Sequence, residues 1–293
     1  MSLTTLLCLL GACFFWGISF IATKVAVNSF PPLTVVALRL VVSAICFITW
    51  FVVKKRRLAL WPQGFFWQIL LLSLVGTSLH YSFQTVGLRF TTATNASIYA
   101  LTAPIFIILI SVLFLNEKVT LKKVLGVALA ISGVIFVMGP DQLLTFSIKG
   151  HLISDILVLI SFLLWALFTV YSKKLTTGFK PIELTSAITI LGALTMLPVG
   201  LWEINKYNFS FNSVTIQAWF AVIFLGVTCS FLATLFYMQA LEKTESQKVG
   251  VFMYTVPLIT YIVATLFLGE RAGLFLLLGS VLIISGVYIT ERG

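Results

Sequence analysis

LFLNEK, residues 113–118, returns as LFLGER at residues 266–271, 153 positions further along the chain. Its surroundings return with it. Pro104 stands thirteen residues before Glu117 and Pro257 thirteen before Glu270, while Gly126 and Gly133 are matched by Gly279 and Gly286. Nearer the start of each half the match is looser, yet Trp16, Lys24 and Pro32 recur as Trp165, Lys173 and Pro181. The 293 residues read as one unit stated twice.

Composition says what kind of unit. Hydrophobic residues make up 60% of the chain, charged residues only 10%, and the mean hydropathy is +1.10. A soluble domain carries about 25% charged residues, so that class is excluded. Long apolar runs broken by short charged or Pro/Gly-bearing stretches predict an all-α integral membrane protein. Ten transmembrane helices are expected, at 4–26, 33–53, 65–88, 92–115, 121–139, 151–173, 181–202, 216–241, 245–268 and 272–290. They leave no room for a soluble domain. The net charge of +10 does not point to nucleic acid, because the basic residues flank the apolar runs, as insertion requires. Cys8, Cys13, Cys46 and Cys229 all fall inside apolar runs at spacings that fit neither a zinc site nor a disulfide framework. LLGAC (9–13) looks superficially like a lipoprotein cleavage site but lacks a basic segment before it, so the first helix is expected to be retained.

The basic residues also set the orientation. Placing KKRR (54–57) in the cytoplasm puts thirteen basic residues on that side and four, Arg89, Lys149, Lys206 and Arg271, on the other. Lys24 and Arg39 lie inside helices, where long side chains are expected to reach toward the outer surface. Both termini are therefore expected to be cytoplasmic. Residues 1–139 form the first five-helix repeat, 140–150 an external linker and 151–293 the second repeat. Five crossings are an odd number, so the second repeat enters the bilayer inverted relative to the first. Inverted repeats give a chain two nearly equivalent arrangements around a site near the midplane, the basis of alternating access. A monomer suffices, since both repeats lie in one chain.

The paired repeats, the helix-end motifs LNEK and LGER, and the endings SGVIFV (132–137) and SGVYI (285–289) resemble the EamA family of the drug/metabolite transporter superfamily. The resemblance covers roughly residues 4–290. It implies a transporter whose helices 1, 3, 4, 6, 8 and 9 surround a central cavity. Within the family the chain is most similar in appearance to bacterial amino-acid and metabolite exporters, the aromatic amino-acid type included.

Polar residues at helical spacing on those segments are the candidates for the cavity. Ser73, Thr77, His80 and Gln84 share one face of the third segment, and Asn95, Tyr99 and Thr102 one face of the fourth. Ser230, Thr234 and Tyr237 mark the eighth, and Gln247, Gly250, Tyr254 and Pro257 the ninth. Trp16, Ser19 and Thr23 mark the first, with Ser161, Trp165 and Ser172 on the sixth. Small hydroxyls in membranes commonly serve helix packing instead. The substrate-binding set is therefore Trp16, His80, Gln84, Asn95, Tyr99, Trp165, Tyr237 and Tyr254. Pro104 and Pro257 lie mid-segment as hinges, leaving the carbonyls of Ala100 and Met253 unpaired for a substrate ammonium. Gly126, Gly133, Gly279 and Gly286 read as close helix packing, and Glu117 and Glu270 as interfacial turns.

Absences narrow the function further. No carboxylate sits at mid-depth, which disfavours proton exchange for cationic drugs, and no Lys/Arg cluster suits a nucleotide-sugar exchanger. His80 is the mid-depth group suited to proton coupling, with uncoupled facilitated diffusion as the other course. No nucleophile motif, metal set or cofactor motif points to an enzyme. The expectation is a secondary transporter of the bacterial cytoplasmic membrane for a small neutral or zwitterionic metabolite, exporting amphipathic or aromatic amino acids. The alternatives are an importer of a vitamin or nucleoside-like compound, and a channel.

Overall fold

The computed structural model describes residues 1–56, 58, 64–90, 96, 99–145, 152–268 and 274–293, without the side chains of 137–145, 152, 264–268 and 274–277. The described residues are helical or in turns, with no strand among them. In chain order the helices are α1 Leu3–Ser29, α2 Pro32–Val53, α3 Phe66–Phe90, α4 Thr102–Leu115, α5 Leu121–Thr145, α6 Leu152–Leu175, α7 Pro181–Lys206, α8 Ile216–Lys243, α9 246–268 and α10 Leu274–Glu291. Six of them, α1, α2, α3, α6, α7 and α8, are long and apolar enough to cross a membrane. Large apolar side chains such as Trp67, Leu113, Leu121 and Ile153 point outward and are at least 74% exposed. Such a surface suits lipid and not water. The chain is a multi-pass membrane protein.

Local chemistry sets the helix ends. Pro32 and Pro181 open α2 and α7, where the missing N–H costs nothing. Ser2 accepts from the Thr5 N–H at 3.2 Å to start α1. Asn116 of the NEK turn closes α4 in the left-handed region, at φ 54°. Asn and Gly are the residues that enter this region routinely, which accounts for the Asn of LFLNEK. Its counterpart Gly269, with Glu270, lies outside the described residues.

Glu117, next in the motif, serves another helix. Its carboxylate accepts from the backbone N–H groups of Ser246 (2.8 Å) and Gln247 (3.2 Å), and from the Ser246 hydroxyl (2.9 Å). It caps the start of α9, whose first turn has no capping bond from its own Glu245. Glu203 does the same for α2, accepting from the Thr34 N–H at 2.7 Å and the Thr34 hydroxyl at 2.9 Å.

Each early helix packs on a late one. α1 lies against α8 and α9, α6 against α3 and α4, α2 against α7, and α5 against α10. In the α5/α10 pair a side chain at Gly126 would meet the Gly286 carbonyl, and one at Gly133 would meet the Gly279 carbonyl at 2.7 Å. Rising number on one helix meets falling number on the other, so the two run antiparallel. The chain ends lie together, with the Met1 ammonium 2.7 Å from Glu291.

Two helices change pitch midway. Residues 74–79 of α3 and 225–233 of α8 form wider π-helical turns. Shifted by 153 positions, the first falls inside the second. α9 likewise narrows to a 3-10 turn at Phe252–Tyr254, just before Pro257.

Candidate substrate cavity

α1, α2, α3, α6 and α9 enclose a cavity of about 40 Å³ whose wall includes Trp16, Arg39, His80, Gln84, Trp165 and Met253. At roughly 10–15 Å³ per water, that volume admits a few waters and no amino acid. The walls approach one another closely around a space that is only partly enclosed.

Trp16 and Trp165, matched positions of the two halves, meet edge to face with ring centroids 5.0 Å apart. The wide turn of α8 helps to place the first. Within it the Cys229 carbonyl accepts two side-chain donors, the Trp16 indole N–H at 3.3 Å and the Thr234 hydroxyl at 3.1 Å. Tyr237 packs against both indoles at 5.1 and 5.3 Å, and its hydroxyl shares a 3.0 Å hydrogen bond with Thr169. The buried indole N–H of Trp165 lies toward the Tyr237 hydroxyl without making a hydrogen bond of regular geometry among the described residues. His80 packs on Trp165 at 5.1 Å, and its Nδ1 is 2.7 Å from the Ser161 carbonyl. A carbonyl only accepts, so that geometry assigns the proton to Nδ1 and leaves Nε2 as an acceptor.

Of the sequence-derived set, Trp16, His80, Gln84 and Trp165 line the cavity. Tyr237 supports the two tryptophans from behind. Tyr254 is fully buried beside the cavity residue Met253, and its hydroxyl has no partner among the described residues. Tyr99 is half-buried in the main apolar core, with its side chain toward Asp155 instead of the cavity. Asn95 lies outside the described residues.

The polar stripe expected on α3 is split. Ser73 and Thr77 face Gly192 of α7, while His80 and Gln84 face the cavity. The π turn between them adds backbone without a matching rotation, so a pattern counted at 3.6 residues per turn loses register there. At Pro104 the Ala100 carbonyl is not free, because it accepts from the Ala103 N–H at 3.1 Å through a tighter turn. At Pro257 the cap N–H of Thr255 is directed to the Met253 and Phe252 carbonyls.

Arg39 departs most from expectation. It does not reach for the surface: it is 2% exposed and lines the cavity. Its Nε donates to the Ser230 hydroxyl at 2.9 Å, and its guanidinium carbon sits 4.0 Å above the Tyr81 ring. An arginine inside an apolar segment is by itself a pointer to function, and that was the available signal.

A matched pair of lysines fastens the two ends of the bundle. Away from the termini, Lys24 of α1 donates to the carbonyls of Leu88 (2.9 Å) and Arg89 (3.2 Å) at the end of α3. On the termini side, Lys173 of α6 donates to those of Leu241 (2.6 Å) and Glu242 (3.2 Å) at the end of α8. Leu88 and Arg89 shifted by 153 positions are Leu241 and Glu242. A cation at a helix C-terminus satisfies orphan carbonyls and complements the dipole.

The profile of the EamA-like transporter family matches residues 3–139 and again residues 152–292. A protein of Archaeoglobus fulgidus named as an uncharacterized transporter is 32% identical over 276 residues, covering 94% of this chain and 93% of that protein. The uncharacterized transporter YoaV of Bacillus subtilis is 24% identical over 94% of this chain and 92% of its own length. A solved crystal structure shares the fold, with a TM-score of 0.81, 16% identity, and coverage of 98% of this chain and 97% of that one.

Proposed function

Since the chain belongs to the EamA-like transporter family, we propose that it is a secondary transporter working by alternating access between two inverted five-helix repeats. Ten crossings, cytoplasmic termini and a place in the bacterial cytoplasmic membrane are part of this reading. The antiparallel α5/α10 contact, the family profile matching twice and the shared side of the termini support it. The observation that carries it is the meeting of Trp16 and Trp165 at a small central cavity, between ends fastened by Lys24 and Lys173.

The solute we propose is a small amphipathic metabolite of amino-acid size, moved outward, with its apolar part on the two indoles. The Trp165 N–H, which makes no hydrogen bond of regular geometry, and the His80 Nε2 supply a donor and an acceptor for its polar groups. His80 is also the proposed site of any proton coupling.

Comparing metabolites in cells and medium with and without expression, and with Trp16→Ala, tests this. One class of solute accumulating in the medium in a Trp16-dependent way is the expected result. Accumulation inside the cells reverses the direction and favours uptake of a vitamin or nucleoside-like compound. No change in either compartment removes the proposed function.

A further inference from the structure

Arg39 is a permanent cation in the middle of an apolar segment, and burying a charge costs several kcal/mol unless a partner compensates. Among the described residues the ion pairs are Met1 with Glu291 and Lys123 with Glu245, and neither includes Arg39. The buried acid Glu203 is committed to capping the start of α2, the helix that carries Arg39. The guanidinium has one hydrogen bond, from Nε to Ser230, and a face-on contact with Tyr81. Both neighbours are uncharged. They hold the planar group in one orientation while its terminal N–H groups have no acceptor among the described residues. Those donors form the fork that matches a carboxylate in two parallel hydrogen bonds.

We propose that Arg39 is the anion-recognising residue of the transport cavity, and that a transported solute carries one carboxylate, bound there. The proposal rests on the transporter reading and adds the charge of the solute to it. A single guanidinium balances a monoanion. Among the described residues the cavity wall holds no second Lys or Arg, so a dianionic phosphate would remain undercompensated. With the carboxylate at Arg39, an apolar side chain falls against Trp16 and Trp165, and an ammonium, where present, has Gln84 and the His80 Nε2 available. Closure of the two ends around such a solute removes water from the pair and strengthens it.

The test uses the purified full-length protein in liposomes loaded with an equimolar mixture of phenylalanine, leucine, phenylacetate, their amides, and the matching amines. Efflux is followed by mass spectrometry against protein-free liposomes. The wild type is expected to release carboxylates in preference to their amides and amines. Arg39→Gln is expected to lower the carboxylate-to-amide ratio by about tenfold or more, and Arg39→Lys by less. Being a ratio within one sample, this readout is unaffected if a variant merely yields less folded protein, and a purely structural arginine would not move it. Amides or amines leaving as fast as carboxylates, or an unchanged ratio in both variants, overturns the role of Arg39 and leaves the transporter standing. Release of nothing above the protein-free control overturns the transporter reading for this solute class, and the proposal with it.

Discussion

Replacing Lys173 by Met keeps the unbranched stem, one atom shorter, and removes its charge, which isolates the fastening on the termini side. Two hydrogen bonds from an ammonium to carbonyls are lost, at 2.6 and 3.2 Å. Bonds from a charged donor contribute about 1.5–3 kcal/mol each when sheltered. Lys173 is half-buried, and water replaces both acceptors once that end opens. Discounted for that exposure, the two together contribute about 2 kcal/mol, below the roughly 3 kcal/mol that two fully sheltered bonds would give at the low end. At about 1.4 kcal/mol per tenfold, the ratio of open to closed at that end rises about thirtyfold. Lys24→Met removes the matched pair of bonds and should do the same at the opposite end. The assay is labelling of a cavity cysteine, Gln84→Cys in a background with the four native cysteines replaced by Ala, using an impermeant maleimide on vesicles of each orientation. Lys173→Met should accelerate labelling from the termini side only, and Lys24→Met from the other side only. If both variants accelerate labelling from the same side, or neither does, the lysines are not gates and the reasoning fails.

Gly286→Ala puts a methyl 2.5 Å from the Gly126 carbonyl and 2.6 Å from the Ala130 nitrogen, both backbone atoms that can yield only by separating α5 from α10. A loss of about 1–3 kcal/mol is expected, read as a lower unfolding temperature in detergent. Glu117→Gln keeps one acceptor but loses the charge facing the α9 N-terminus, so about 1 kcal/mol should go. Faster amide exchange confined to the first turn of α9 checks it. Asn116→Val forces a β-branched residue to φ 54° and should cost about 1–2 kcal/mol, whereas Asn116→Gly should be near neutral in the same unfolding assay. Trp16→Ala is expected to abolish most transport without lowering the amount of protein in the membrane.

What the sequence made legible, and what it hid, follows from the bilayer. A bilayer demands apolar runs of fixed length with every backbone group satisfied, so most predicted segments lie within a few residues of the described helices, whereas the fourth, expected from 92, is described as continuous helix only from Thr102. The largest extension is that of α5, which runs to Thr145 into the stretch expected to be linker. Which face of each helix points inward was harder to read. α2 is apolar all round, so periodicity gave no reason to turn Arg39 inward, and reaching for the surface was the natural expectation. Its inward position becomes visible only with α7 and α8 packed against α2, where Val35, Val36, Leu40 and Ser43 are all buried with it. Glu117 was legible as a helix end, but its partner Ser246 lies 129 positions away, beyond any local rule.

The π turns were hidden for a related reason. Nothing in LVGTSL (74–79) or LGVTCSFLA (225–233) spells a wider turn, since small and β-branched residues suit an ordinary membrane helix equally well. Yet the two turns fall at the same place in the two halves, and each precedes residues that meet at the cavity. In α3 the turn brings His80 and Gln84 onto the cavity wall. In α8 it leaves the Cys229 carbonyl for Trp16 and is followed by Tyr237 beneath the two indoles. A wide turn gives up regular hydrogen bonds inside a membrane, where each loss is costly unless another donor takes the freed carbonyl. Here the Thr234 hydroxyl of the same helix and the Trp16 indole of the cavity wall both donate to the Cys229 carbonyl, so the irregular backbone and the cavity wall are tied together.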